Sequence, residues 1–244
     1  WQALERIQHP DLNHWAKTGT LDADAVAFAM GRDVARWQTI RPTGFGPFDL
    51  EAWRRGEGLR GLHDDYASYF RLRLDRHLDY LVAERFLDQG QRAEIAAAID
   101  EHADLLGLGQ GCLVHKDLAL WNALGTSDRV VAYIDFDDAI SGDAMDDPSL
   151  LACFHGAAFL ERAFAGYASV RPLPKEALRR FWLHLLRNLI VKAVIRVGAG
   201  YFERDAGFFL IGSGSSGEDL RRFTEARIAT ALRGLREEAG VEIL

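Results

Sequence analysis

Apolar residues recur at helical spacing over most of this chain, and the exceptions are gathered in one short region. From Thr20, the positions Ala25, Phe28, Ala29, Val34, Ala35 and Ile40 predict a helix capped by Thr20 or Asp22 and closed by Pro42. Gly44-Phe45-Gly46-Pro47 then reads as a turn, and Phe48 to Trp53 as a short amphipathic piece. Tyr66, Tyr69, Phe70, Leu74, Leu78, Leu81 and Val82 form one apolar stripe, with Arg71, Arg73, Asp75 and Arg76 on the solvated side. That stripe predicts one long helix from about His63 to Phe86. Further helices are predicted from Arg92 to Leu106, from Lys175 to about Val197 and from Asp219 to about Leu235. The Gly/Ser run from Gly212 to Gly217 reads as a flexible loop between the last two.

Between Gly107 and Pro148 the period changes. Cys112 to His115, Ala123 to Leu124 and Val130 to Ile134 are short apolar strands, and Thr126-Ser127-Asp128 closes the last two into a hairpin. With no internal repeat and no interdomain linker, the expected fold class is α+β, a mainly helical body carrying a short β-hairpin.

Composition narrows the partners more than the fold. The 244 residues suffice for one large domain or two small ones, and 48% hydrophobic with 27% charged residues is an ordinary globular balance. Twenty-nine basic against 36 acidic residues give a net charge of −7, which argues against nucleic acid or an anionic membrane surface and suits a cationic small substrate. Cys112 and Cys153 have no metal-ligand or disulfide-framework spacing, and Cys112 is expected to be a buried thiol. No signal peptide is visible, and the most apolar helix is interrupted by His184, Arg187, Asn188, Lys192 and Arg196, so a cytoplasmic protein is expected. Oligomeric state is left open.

The candidate chemistry sits in the strand region. His115-Lys116-Asp117-Leu118 is followed by Asn122, and thirteen residues later Asp135 closes an apolar run. That is the spacing of a kinase catalytic loop and its metal-binding Asp. Phosphoryl transfer needs a carboxylate facing the acceptor hydroxyl and oxygen ligands for Mg²⁺ beside the nucleotide phosphates. Asp117 is therefore the candidate base, Asn122 and Asp135 the candidate metal ligands, and His115 a group that holds the loop. Asp135-Phe136-Asp137 with Gly142-Asp143-x-x-x-Asp147 also fits a haloacid-dehalogenase-like phosphatase. The six residues between Asp135 and Gly142 are too few for the crossover between parallel strands which that reading requires.

With these residues in hand, the chain resembles the aminoglycoside phosphotransferase family, whose protein-kinase-like fold is shared with choline and homoserine kinases. Val114-His115-Lys116-Asp117-Leu118 resembles the family's His-x-Asp segment, Asn122 its Mg²⁺-binding Asn, Val131 to Phe136 its second metal segment, and Gly142-Asp143-x-x-x-Asp147 the motif that follows. Gly44-Phe45-Gly46-Pro47-Phe48 is similar to a segment of hygromycin-type members. The resemblance implies that Asp147 buttresses the loop and that Leu124 and Ile134 lie under the base of ATP or GTP. Leu4-Glu5-Arg6-Ile7 would form the hinge beside that base, with Glu5 and Ile7 bordering it. It covers a hinge remnant at residues 1–10 and a kinase-like C-terminal lobe at 11–244, with its catalytic segment at 112–148 and substrate-side helices at about 61–106 and 175–238. The nucleotide-phosphate Lys and its Glu partner find no match in this sequence, so the small β-rich lobe is expected to lie outside it. Asp137, Asp138 and Glu225 are the candidate acidic contacts for an amino-bearing substrate. The implied activity is ATP- and Mg²⁺-dependent transfer to a hydroxyl of an aminoglycoside or similar small polar metabolite. A kinase for choline, homoserine, a sugar or a nucleoside is the nearer alternative, and a non-catalytic binding module on the same scaffold the more distant one.

Overall fold

In the computed structural model, which describes residues 6–205 and 216–244, aspartates set most helix starts in the N-terminal half. The carboxylates of Asp11 and Asp22 accept hydrogen bonds from His14 N and Ala25 N, and so open α1 (Leu12–Lys17) and α2 (Ala23–Trp37). Then come β1 (Phe45–Phe48), α3 (Leu50–Arg54) capped by Asp49, and β2 (Gly61–His63). Asp65 caps α4 (Tyr66–Phe70), α5 (Leu74–Ala83) follows, and Asp88 with Gln91 forms a reciprocal capping box on α6 (Gln89–Glu101). The strand region comprises β3 (Cys112–Val114), the hairpin of β4 (Ala123–Gly125) and β5 (Val130–Tyr133), and β6 (Ile140–Gly142). The chain closes with α7 (Asp146–Ala152), α8 (Ala157–Ala168), α9 (Ala177–Gly198) and α10 (Gly217–Glu237).

Two elements depart from the periodicity reading. The helix expected from His63 to Phe86 is cut at Arg71 to Arg73, where Arg73 takes φ 61°. The cause lies far away in sequence. Arg187 on α9 donates from Nε to the Phe70 carbonyl (3.0 Å) and from Nη2 to the Leu72 carbonyl (2.9 Å), so acceptors at the end of α4 are satisfied without a continuing helix. The expected turn at Gly44 to Pro47 is instead strand β1, which pairs antiparallel with β2 and with β6. Its partners come from remote segments, and its glycines carry no apolar signal. The four strands run in the order β2-β1-β6-β3, while β4 and β5 form a separate ribbon with Ala123 opposite Tyr133.

α9 is the spine. Phe181, Trp182, Leu183, Leu185, Leu186, Leu189 and Ile190 are wholly buried, so its apolar residues cover far more than one stripe. Among the described residues no helix is long and apolar enough to cross a membrane, and Cys112 and Cys153 are buried free thiols. The Gly/Ser loop at 212–215 lies outside the described residues.

α2 crosses α8 at two glycines. A Cβ on Gly31 would stand 1.8 Å from the Ala163 carbonyl oxygen, and one on Gly166 would stand 2.0 Å from that of Phe28. In a free helix alanine is better than glycine by about 1 kcal/mol. Here the obstacle is backbone, which cannot swing aside, so overpacking decides the sign. Gly31→Ala and Gly166→Ala should each lower stability by roughly 1–3 kcal/mol, read as a falling thermal midpoint. A midpoint unchanged or raised in either would contradict this packing.

Candidate active site

One buried carboxylate shapes the loop after β3. Asp147, in the first turn of α7 and fully buried, accepts hydrogen bonds from His115 N (3.0 Å), Lys116 N (3.1 Å) and Trp37 Nε1 (3.0 Å). Burial holds its carboxyl above the usual range, against the pull of the His115 and Lys116 amides. Lys116 turns the chain with φ 71°, just before Asp117.

His115 then ties this loop to the hairpin. Its Nδ1 accepts from Asp117 N (3.3 Å), so the ring proton sits on Nε2, which donates to the Ile134 carbonyl (2.9 Å). Ile134 N in turn donates to the Asn122 carbonyl (3.0 Å). Ile134, the residue before Asp135, is thus bracketed between the loop's beginning and its end. Asp135 takes φ 65° and opens a 3₁₀ turn at Phe136–Asp138. Its carboxylate is exposed and has no hydrogen bond or ion pair among the described residues.

Asp117 is held from two sides. Lys192 Nζ lies 2.8 Å from Oδ1, while Asn122 Nδ2 donates both to the Asp117 carbonyl (2.8 Å) and to Oδ2 (2.9 Å). Both of those partners are acceptors, so the Asn122 amide group must face them and Oδ1 must face away. That oxygen accepts no hydrogen bond among the described residues, so it and the Asp135 carboxylate are both uncommitted hard donors. Such oxygens suit Mg²⁺, and no group of three or more His, Cys, Asp and Glu offers a rival site among the described residues. Burial alone would raise the Asp117 carboxyl; the Lys192 ammonium and the bonds from Lys192 and Asn122 outweigh it and hold the group below its usual range.

A second tier sits beneath. Lys116 Nζ contacts both Asp146 oxygens (2.9 Å each) and Asn188 Oδ1 (2.8 Å), while Asn188 Nδ2 donates to Asp146 and to Ser149 Oγ (2.8 Å each). Asp143 pairs with Arg180 Nη1 (2.7 Å) and lies 3.4 Å from His184 Nε2; although burial pushes the other way, these neighbours draw its carboxyl down to about 2. Lys192, Asn188 and His184 all come from α9 at intervals of four residues. Sequence reasoning registered them only as breaks in an apolar helix; the four-residue recurrence of polar residues was the signal it missed.

The other candidate residues fall in several places. Leu124 lies in β4, half-buried, and Ile134 is exposed at the end of β5. Pro10 and Asp11 run beside β4, since Asp11 bridges to Leu124 and Gly125 N donates to the Pro10 carbonyl (3.0 Å). Ile7 precedes that contact and is half-buried; Glu5 lies outside the described residues. Asp137 and Asp138 are exposed in the 3₁₀ turn, and Asp138 lines a cavity of about 280 Å³ that it shares with Asp117 and Lys192. Glu225, on α10, is paired with Arg221 (2.8 Å) and lines neither that cavity nor the one of about 380 Å³ on the Trp121 and Phe154 side of Asp117.

Removing the Lys192 charge should let burial dominate at Asp117. In Lys192→Met the Asp117 carboxyl is expected to titrate at higher pH than in the parent, followed by carbon NMR of labelled aspartate with Asp117→Asn as assignment control. A titration that stays in place or moves lower would remove Lys192 from the account.

Comparison with known proteins adds the family. No curated protein matches the chain. Among solved structures, aminoglycoside phosphotransferase APH(4)-Ia aligns with a TM-score of 0.62 and 19% identity, over 97% of this chain and 71% of that one. A thermostable mutant of it in ternary complex with AMP-PNP and hygromycin B gives 0.61 and 20%, over 94% and 70%. A protein described as a fructosamine-3-kinase from Thermobifida fusca YX-ER1 gives 0.60 and 17%, over 97% and 68%. At such identities the likeness is one of fold. The model of the APH phosphotransferase enzyme family matches residues 1–188, more than half of the chain. The chain therefore belongs to the APH phosphotransferase enzyme family.

Proposed function

We propose that this protein transfers the γ-phosphoryl group of ATP or GTP to a hydroxyl of a small polar molecule, with Asp117 facing the acceptor and Asn122 and Asp135 holding Mg²⁺. The observation that carries the reading is the bracket around Ile134. Hydrogen bonds from His115 and to Asn122 bring Ile134, the residue before Asp135, against the Asp117 loop, and Asn122 Oδ1 and the Asp135 carboxylate are left without a partner among the described residues. Mg²⁺ held there would neutralise charge on the nucleotide phosphates.

The chain's own groups then divide the remaining work. Asp117, ionised at neutral pH, accepts a hydrogen bond from the acceptor hydroxyl, orients its oxygen for in-line attack and takes up its proton. Lys192 keeps that carboxylate charged and adds positive potential where negative charge gathers. His115 and Asp147 fix the loop and do not touch substrate. Leu124 and Ile134 offer apolar surface to the base, with the Glu5 to Ile7 segment beside them, and Asp138 faces the acceptor side. Support for the nucleotide comes from the related fold of APH(4)-Ia, described in complex with AMP-PNP and hygromycin B.

Coupled ADP release in the natural-length protein, with ATP, Mg²⁺ and a panel of aminoglycosides, amino alcohols, sugars and hydroxy acids, tests the reading. Acceptor-dependent release is expected, and Asp117→Asn should lower kcat by about 10²–10⁴ with an unchanged thermal midpoint. No release with any acceptor, or full activity in Asp117→Asn, would exclude it.

A further inference from the structure

A cavity next to the Asp117 loop is lined by more positive than negative groups. This cavity, of about 350 Å³, lies between α4, α9 and the Asp117 loop, lined among others by Tyr69, Arg73, Lys116, Asp138 and Arg187. It shares Lys116, Asp138 and Val191 with the cavity on Asp117, so the two adjoin.

The charges on that wall do not cancel. Lys116 and Asp146 neutralise each other, and Asn188 completes both. Arg187 has no carboxylate partner: its bonds go to the Phe70 and Leu72 carbonyls, with His77 Nδ1 at 3.4 Å from Nη1, so two of its five N–H donors are uncommitted. Arg73 and Arg76 have no ion pair or side-chain hydrogen bond among the described residues. The nearby acids of α5 are engaged elsewhere, Asp79 with Arg92 at 2.8 Å and Asp75 with the same guanidinium at 3.6 Å. Arg73, Arg76 and His77 line an adjoining cavity of about 330 Å³, and burial first, then the charges of Arg187, Arg73 and Arg76, push the His77 imidazole below its usual range. Arg73, which lines the cavity, also sits at φ 61°, a conformation that arginine adopts at a cost. Asp138 and Asp146 also line this cavity, but Asp146 is taken by Lys116, so Arg73 and Arg187 together face the carboxylate of Asp138, unpaired among the described residues, and leave one positive charge in want of an anion.

Resting on the transferase reading above, we propose that the acceptor carries an anionic group, a carboxylate or a phosphate, which seats against Arg73 and Arg187 while its hydroxyl reaches Asp117. A polycationic acceptor would set ammonium groups against these guanidiniums. The transfer itself is unaltered: the acceptor oxygen forms a bond to the γ-phosphorus, the bond from that phosphorus to the departing ADP oxygen breaks, and the hydroxyl proton passes to Asp117 and on to solvent. The anionic group takes no part in bond making. It sets which hydroxyl faces Asp117.

Calorimetric titration of the natural-length protein without nucleotide tests the site, using inorganic phosphate, a hexose 6-phosphate, gluconate and hygromycin B. Arg73→Asn is the variant, because asparagine tolerates the left-handed backbone and the residue is exposed, so the fold should survive. At least one anionic probe should bind, weakened at least about tenfold in Arg73→Asn, and the anionic alcohols should drive ADP release better than hygromycin B. If no anionic probe binds, if Arg73→Asn binds it equally well, or if hygromycin B is the better acceptor, the inference fails. The last result would leave phosphoryl transfer standing. Arg73-dependent anion binding with no ADP release from any acceptor would uphold the anion site and overturn the transferase reading beneath it.

Discussion

The structure depends on the buried hydrogen-bond acceptor at Asp147. Three N–H groups from two distant segments end on its carboxylate, which locks Trp37 of α2 and the His115-Lys116 peptides onto the first turn of α7. Without that acceptor, two main-chain amides and an indole would lose their partner, at about 1–3 kcal/mol for each buried group left unsatisfied. The left-handed turn at Lys116 would also lose its restraint. Asp117 and, through His115, the peptide before Asp135 are placed by this knot.

The second constraint is the polar face of an otherwise apolar helix. His184, Asn188, Lys192 and Arg196 recur every four residues along α9 and point at Asp143, Asp146, Asp117 and Thr224. Each meets a partner, which is what buried polar groups require. The same helix sends Arg187 sideways to end α4, so the spine of the molecule both tunes Asp117 and shapes the cavity beside it. Asp117 is compensated by Lys192, whereas Arg73 and Arg187 form no ion pair among the described residues.

Legibility in the sequence followed the range of the interactions. The β4–β5 hairpin could be read because its turn residues and its apolar runs are adjacent, and α2 because Asp22 and its stripe lie within one segment. β1 could not, since its partners are supplied by β2 and β6 and its glycines hide the alternation. The break between α4 and α5 was equally hidden. Tyr66, Phe70, Leu74 and Leu78 stay in helical phase across it, and the residue that enforces it is Arg187, more than a hundred positions away. In the site, the spacing of His115, Asp117, Asn122 and Asp135 was visible, but their electrostatic setting was not. Lys192 and Asn188 read as mere interruptions of an apolar helix, and Arg73 as a solvated face. Net charge suggested a cationic partner, yet net charge averages over a surface and says nothing of one wall of one cavity.

The central claim is that Asn122 Oδ1 and the Asp135 carboxylate are open because a divalent ion completes them. The most direct measurement is a Mn²⁺ titration followed by electron paramagnetic resonance in the presence of AMP-PNP. The account predicts saturable Mn²⁺ binding in the parent, weakened at least about tenfold in both Asp135→Ala and Asn122→Ala while thermal unfolding shows the fold intact. Equal Mn²⁺ affinity in the parent and both variants would contradict it.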